Sequence, residues 1–254
     1  MRWSLTPLLA LSFSLCACQA RGQPEPPQGD ARAPAFAVVE LFTSEGCSSC
    51  PPADATVSRL IAEARAAGQP VIGLAWHVDY WDRLGWPDPF SSPAHTARQE
   101  AYDKVLPRGM YTPQAVVNGR VDVSGLRGGA LRDAVKGALA QPGTVKLTAQ
   151  ATREGTRWRV RYGIEGAPPG CSVLAVLTED GLQIAVPRGE NAGRTLRHDQ
   201  VVRAFRRVPV QANGEVILDA PKGLRTEQAS VVVLVEHDAT RAVLAVMMPE
   251  PGRI

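Results

Sequence analysis

The sequence predicts an α/β domain followed by a smaller, all-β, sandwich-like domain. Three observations predict it. Between residues 35 and 141, short apolar runs alternate with stretches of helical periodicity in the order βαβαββα. After Gln141-Pro142-Gly143 the period changes to two, and short β-rich runs follow one another through residues 142–254. The composition is that of an ordinary globular chain: 254 residues, 44% hydrophobic and 21% charged. That excludes disorder across the body of the chain and a fibrous protein. A net charge of +3, from 28 basic and 25 acidic side chains, is too small to imply a nucleic-acid partner.

The N-terminus has the layout of a secretory signal peptide over residues 1–17. Arg2 precedes a mostly apolar run, Leu5 to Leu15, too short for the ~20 residues a spanning helix needs. Leu15-Cys16-Ala17-Cys18 resembles the bacterial lipoprotein signal, which implies that Cys18 is lipidated. Ordinary cleavage near Ala17 or Ala20 is the alternative. Residues 18–34 are proline-rich and lack large apolar side chains, so they read as an extended tether that cannot build a core. The expected location is therefore exported and periplasmic, held at the membrane only through a lipid.

In the α/β part, residues 35–43 (AFAVVELFT) read as a buried strand. Val57, Leu60, Ile61 and Ala64 then form the stripe of a helix, with Pro51 in its first turn and Gly68 at its end. Residues 71–77 read as a second buried strand, making a βαβ unit. Ser92-Pro93 has the form of an N-cap followed by proline, opening a helix to about Leu106. Residues 114–117 and 121–123 are strands around an Asn118-Gly119 hairpin turn. Leu131, Val135, Ala138 and Leu139 mark a last helix. The β-rich runs beyond it are 145–151, 158–162, 172–178, 182–187, 215–219, 230–236 and 242–248.

Cys47-Ser48-Ser49-Cys50 lies between the first strand and the first helix. A helix N-terminus carries partial positive charge and unpaired N–H groups, and both favour a thiolate. This predicts Cys47 as the attacking thiol and Cys50 as the resolving one. A structural disulfide and a metal-binding pair are the alternatives the spacing leaves open.

Cys47-Ser48-Ser49-Cys50 together with Thr112-Pro113 resembles the thioredoxin-like superfamily. The resemblance implies that Pro113 is a cis-proline beside the cysteine pair. More narrowly, residues 38–54 (VVELFTSEGCSSCPPAD), 77–90, 111–119 (YTPQAVVNG) and 189–203 (GENAGRTLRHDQVVR) are similar to a bacterial family of secreted thioredoxin-like proteins known as a domain of unknown function. The fold so implied is an α/β thioredoxin-like domain followed by a smaller all-β domain.

Further candidates come from position. Glu40 is the one charge on an apolar strand; the thioredoxin-like resemblance implies a buried carboxylate beneath the pair that takes the resolving thiol's proton, and a strand-edge Glu in water is the alternative. Residues that follow a strand's C-terminus open onto a ligand crevice. Asp79, Trp81, Asp82 and Trp86 are therefore candidates to line a substrate groove with Thr112, or else to pin their own loop. His77 with Cys47 and Cys50 would make a copper or zinc site. His95 reads as exposed, and Cys171 as a buried free thiol. His198 lies in a basic stretch with Arg203, Arg206 and Arg207, either a solvated strand face or a surface for an anionic partner.

The function these readings converge on is an exported thiol–disulfide oxidoreductase. Its partners would be protein or small-molecule thiols and disulfides and a redox feeder protein, with no cofactor. The competing functions are a copper- or zinc-handling protein and a membrane-tethered binding module with a structural disulfide.

Overall fold

Strand β1, Ala37–Thr43, is buried on both faces. Ala37, Val39 and Leu41 pack on the side of the first and third helices, while Val38 and Phe42 pack on the opposite side, as strand alternation requires. This is a computed structural model, and it describes Met1 and residues 33–252. The expected signal segment, Cys18 and nearly all of the tether lie outside the described residues. No helix among the described residues is long and apolar enough to cross a membrane.

Helix α1 (Cys50–Ala66) places Val57, Leu60, Ile61 and Ala64 against β1. It leads to β2 (Val71–His77), which runs parallel to β1 from Ala37 opposite Val71 to Thr43 opposite His77. Helix α2 (Pro93–Asp103) is capped by Ser92, whose Oγ accepts the N–H of Ala94. Strand β3 (Gln114–Val117) is antiparallel to β1, and β4 (Val121–Ser124) to β3, across the turn at Asn118-Gly119. Helix α3 (Gly128–Leu139) turns Leu131 and Val135 inward.

The second half is all strand: β5 (Lys146–Glu154), β6 (Arg157–Glu165), β7 (Cys171–Glu179), β8 (Leu182–Ala185), β9 (Thr195–His198), β10 (Val201–Pro209), β11 (Asn213–Asp219), β12 (Ala229–His237), β13 (Val243–Met247) and β14 (Pro251–Gly252).

The assembly of these elements overturns the expected fold class. An α/β thioredoxin-like domain followed by a separate, smaller all-β domain is not what forms. Strands from both halves join in one mixed eight-stranded sheet, ordered β13-β12-β7-β10-β2-β1-β3-β4. A four-stranded sheet, β11-β6-β5-β14, faces part of it, and β8-β9 stands as a two-stranded ribbon. Among the described residues strand accounts for 41% and helix for 21%, the latter in three α-helices and two short 3-10 turns. Residues 33–252 fall within one compact unit.

The junction is β10, which meets β2 in parallel at Val201 opposite Ala75, where Ala75 N–H donates to the Gln200 carbonyl at 2.8 Å. One core accordingly holds Phe42, Trp76 and Val116 from the first half with Leu174, Val202 and Leu234 from the second. The physical reason is β2: all seven of its residues are buried, and such a strand cannot be left as a sheet edge. Strand β10 was obscured in the sequence by its arginines. Arg203 pairs with Glu179, and Arg207 with Glu236 and Asp238. Those ion pairs let a charged strand join the sheet.

Candidate functional site

Strand β1 delivers the chain to a tight turn, in which Cys47 N–H donates to Ser44 O and Cys50 N–H to Cys47 O. Cys47 and Cys50 form a disulfide with a Cα–Cα separation of 5.4 Å, and Cys50 is the first residue of α1. Pro51 and Pro52 follow, so two of the four N–H groups a helix normally leaves unpaired at its start do not exist here. Side-chain hydroxyls take their place around the sulfur. Thr112 Oγ1 and Ser49 Oγ each lie 3.4 Å from Cys47 Sγ.

Thr112-Pro113 is a cis peptide at the start of β3. Trp81 Nε1 donates to Thr112 Oγ1 at 2.9 Å. An indole only donates, so this bond occupies an acceptor site of the hydroxyl and leaves its proton free for the sulfur. Trp81 also lies over Gly46: a Cβ at residue 46 would sit 2.9 Å from the Trp81 Cβ. The two cysteines are 0% exposed, whereas Ser48 and Ser49 between them are exposed.

The remaining candidates separate. Asp79 accepts from the Thr96 hydroxyl of α2 at 2.5 Å. Asp82 accepts from Asp88 N–H and from Ser91 Oγ. Asp79 therefore ties the loop to α2, and Asp82 pins the loop itself. Trp86 donates from Nε1 to Glu45 Oε2 at 2.7 Å, which ties that loop to the cysteine turn.

Glu40 is not brought to the cysteines. It points to the α2 face, where Arg98 donates to both its oxygens at 2.5 and 2.9 Å and Tyr102 donates to it as well. Arg98 reaches Glu236 too, at 3.0 Å. Burial alone would raise Glu236, but the Arg98 and Arg241 guanidinium groups reverse this and hold it below the usual carboxylate range.

His77 is not assembled with the cysteines either. Its Nδ1 lies 2.6 Å from Asp88 Oδ2, its ring packs on Phe90 and His198, and its Nε2 has no hydrogen-bond partner among the described residues. Burial opposes charge on His77, yet the Asp88 carboxylate outweighs it and raises the imidazole; burial would raise Asp88, but His77 holds it low. No group of three His, Cys, Asp or Glu side chains among the described residues could hold a metal ion. His95 is buried rather than exposed, and Cys171 is a buried free thiol.

Several residues at the site were not legible in the sequence. Glu45, just before the pair, and Asp54, one turn into α1, are both buried. His198, from the far half of the chain, reaches both: its Nε2 is 3.2 Å from Glu45 Oε1, and its Nδ1 is 3.7 Å from Asp54 Oδ2. Asp54 also accepts from Thr43 Oγ1 at 2.7 Å, and burial raises its carboxyl pKa. Asn191 and Glu190 complete the surroundings, bonding to the cysteine turn from 140 or more residues away. The spacing of Asp54, four residues after Cys50, was a usable signal, because i and i+4 share a helix face. For the others, only tertiary contact reveals the role.

The model of the family described as "Protein of unknown function (DUF1223)" matches residues 38–236. No curated protein matches the chain. The chain is similar to the crystal structure of an Agrobacterium tumefaciens protein, with 27% identity over 87% of this chain and 97% of that one, and a TM-score of 0.62. A domain of an outer membrane lipoprotein from Porphyromonas gingivalis matches at 17% identity over 44% of this chain and 90% of that one, with a TM-score of 0.27.

Proposed function

The chain belongs to the DUF1223 family of proteins of unknown function, and from that footing we propose that it is an exported thiol–disulfide oxidoreductase. The observation that carries the proposal is the Cys47–Cys50 disulfide at the first residue of α1, with the Thr112 hydroxyl 3.4 Å from Cys47 Sγ. In the reduced state that hydroxyl and the helix N-terminus stabilise a thiolate at Cys47. The thiolate attacks a substrate disulfide and forms a mixed disulfide while the substrate's other sulfur leaves. Cys50, as thiolate, then attacks Cys47 Sγ, which restores the ring and releases the reduced substrate. Run in reverse, the same steps oxidise a substrate dithiol. Export follows from the signal-like residues 1–17, and disulfides persist mainly in such oxidising compartments. Cys18 is the proposed lipid attachment point, and a redox feeder protein would reset the pair.

The complete burial of both cysteines favours a second reading, a tethered binding module whose disulfide is structural. One measurement separates the two: the reduction potential of the pair by equilibration in glutathione buffers. A value between about −120 and −270 mV is expected for the oxidoreductase. A value well below about −300 mV, with slow exchange, overturns it in favour of the structural disulfide.

A further inference from the structure

The far half of the chain bonds to the backbone of the cysteine turn. Strands β8 and β9 pair with each other and stand outside both larger sheets. The turn joining them reaches the cysteine turn. Asn191, 0% exposed, donates from Nδ2 to the carbonyls of Glu45 and Cys47, at 2.8 and 2.9 Å. Its neighbour Glu190 accepts the N–H of Ser48 on Oε2, at 3.0 Å. Arg194 donates to Asn191 Oδ1 at 2.6 Å, so the amide is held at both ends. Gly189 and Gly193 flank this tip with φ of +82° and +79°, a backbone region glycine enters freely. Two cavities, of about 370 and 330 Å³, are lined by neither cysteine.

We propose that the Gly189–Arg194 turn is a clasp that selects polypeptide thiols and disulfides over small thiols at Cys47. This inference rests on the oxidoreductase reading and names its substrate class. While the clasp is closed, its three hydrogen bonds hold the far half of the chain over the cysteine turn. The groups it occupies are backbone groups: the Ser48 N–H and the Glu45 and Cys47 carbonyls. An extended polypeptide offers a carbonyl and N–H groups in exchange, so it displaces Glu190 and Asn191 without leaving those groups unpaired. A thiol without peptide groups offers nothing to them. Once admitted, the substrate thiolate attacks Cys47 Sγ, the Cys47–Cys50 bond breaks, and Cys50 leaves as a thiolate that takes a proton from water. A second substrate thiolate then attacks the substrate sulfur of the mixed disulfide and releases Cys47. The substrate dithiol is oxidised and the protein disulfide reduced.

The test is stopped-flow reduction of the oxidised full chain by dithiothreitol and by a short unstructured peptide carrying two cysteines. Asn191→Ala is expected to raise the dithiothreitol rate about tenfold and the peptide rate far less. Glu190→Gln, at an exposed side chain, is expected to raise the dithiothreitol rate about threefold. Equal dithiothreitol rates in the wild type and both variants overturn the clasp. Should Asn191→Ala not fold, Glu190→Gln and amide hydrogen exchange decide: a Ser48 N–H unprotected in the wild type also overturns it. Faster dithiothreitol reduction in the variants, combined with a potential in the structural range and no exchange with the peptide, leaves the shielding intact. That outcome overturns the substrate class and the oxidoreductase reading.

Discussion

Two buried polar networks flank β1, and they balance their charge in different ways. On the α2 face, Glu40 and Glu236 are closed by Arg98, with Arg207 and Arg241 also at Glu236. Arg98 lies over the Trp76 and Tyr102 rings as well. On the α1 face, Glu45, Asp54 and Asp88 are met by histidines, His77 and His198. Guanidinium stays charged at any relevant pH, whereas imidazole changes charge within the physiological range. The first network is therefore a permanent clamp that docks α2 onto the sheet. The second is built on imidazoles, and it is the one beneath the cysteine turn. Among the described residues His77 Nε2 and His198 Nδ1 make no hydrogen bond in this network, and Arg241 Nε makes none in the first.

The largest effect should come from breaking the clamp. Arg98→Ala leaves Glu40 buried with only Tyr102, whereas Glu236 keeps two other arginines. The expected cost is about 3–5 kcal/mol, a fall in Tm of roughly 10 °C. Replacing Arg98 and Glu40 together by methionine should recover most of that loss in the same thermal melts, because no unpaired charge remains. If the single variant melts within a degree or two of wild type, the clamp does not bear the charge balance assigned to it.

A middle-sized effect is expected where the two networks approach each other. His95 of α2 donates from Nδ1 to the His77 carbonyl at 3.0 Å, and burial pushes its pKa down to about 4. Its folded value lies below the ordinary 6.5, so protonation favours the unfolded chain. Stability should fall as pH drops from about 6.5 to about 4, by about 3 kcal/mol from this group. Over the same interval the His77–Asp88 pair keeps its full contribution. His77 is raised, so its share is present below 6.5 and fades only as pH climbs through its folded value. Asp88 is lowered, so its share fades only as pH falls below 3.8. Urea denaturation at pH 6.5 and pH 4 measures the difference. His95→Gln should lose less stability than wild type between the two, and an identical loss would remove His95 from the account.

The smallest effect serves as a control on α2 itself. Ser92→Ala removes the cap that accepts the Ala94 N–H and should cost about 1 kcal/mol. Its Tm shift should not vary with pH, since the lost hydroxyl bonds only to the Ala94 N–H and to neither network. A pH-dependent shift would mean that cap loss moves the whole helix and the groups it carries.

How much of this was legible depends on the range of the forces involved. Cys47, Cys50, Thr112 and Trp81 could be singled out because a strand end, a helix start and a proline-led strand are local features. The fates of Asp79 and Asp82 could not be separated from groove lining, since a loop carboxylate that caps its own loop looks the same in sequence as one that faces a ligand. Glu40 was misplaced for a related reason. A lone charge on an apolar strand says that a partner must exist, but the partner, Arg98, is 58 residues away on α2. The basic stretch around His198 read as a solvated face or a surface for an anionic partner because its counter-charges, Glu179, Glu236 and Glu45, lie on other elements.

The sequence by itself determined the local elements: the run β1 to α3, the period-two strands after residue 143, the turn at Asn118-Gly119 and a cysteine pair at the start of a helix. Each depends on backbone preference and on side-chain periodicity within a few residues. Only the tertiary structure decided how the halves combine. Period-two alternation shows which face of a strand is buried but not which strand lies beside it, so β10 could not be assigned to the edge of β2. The same limit hid the site's outer shell. Asn191, Glu190 and His198 reach the cysteine turn only because the shared sheet brings a late hairpin to the end of β1, and contacts across 140 residues leave no periodic mark on the chain.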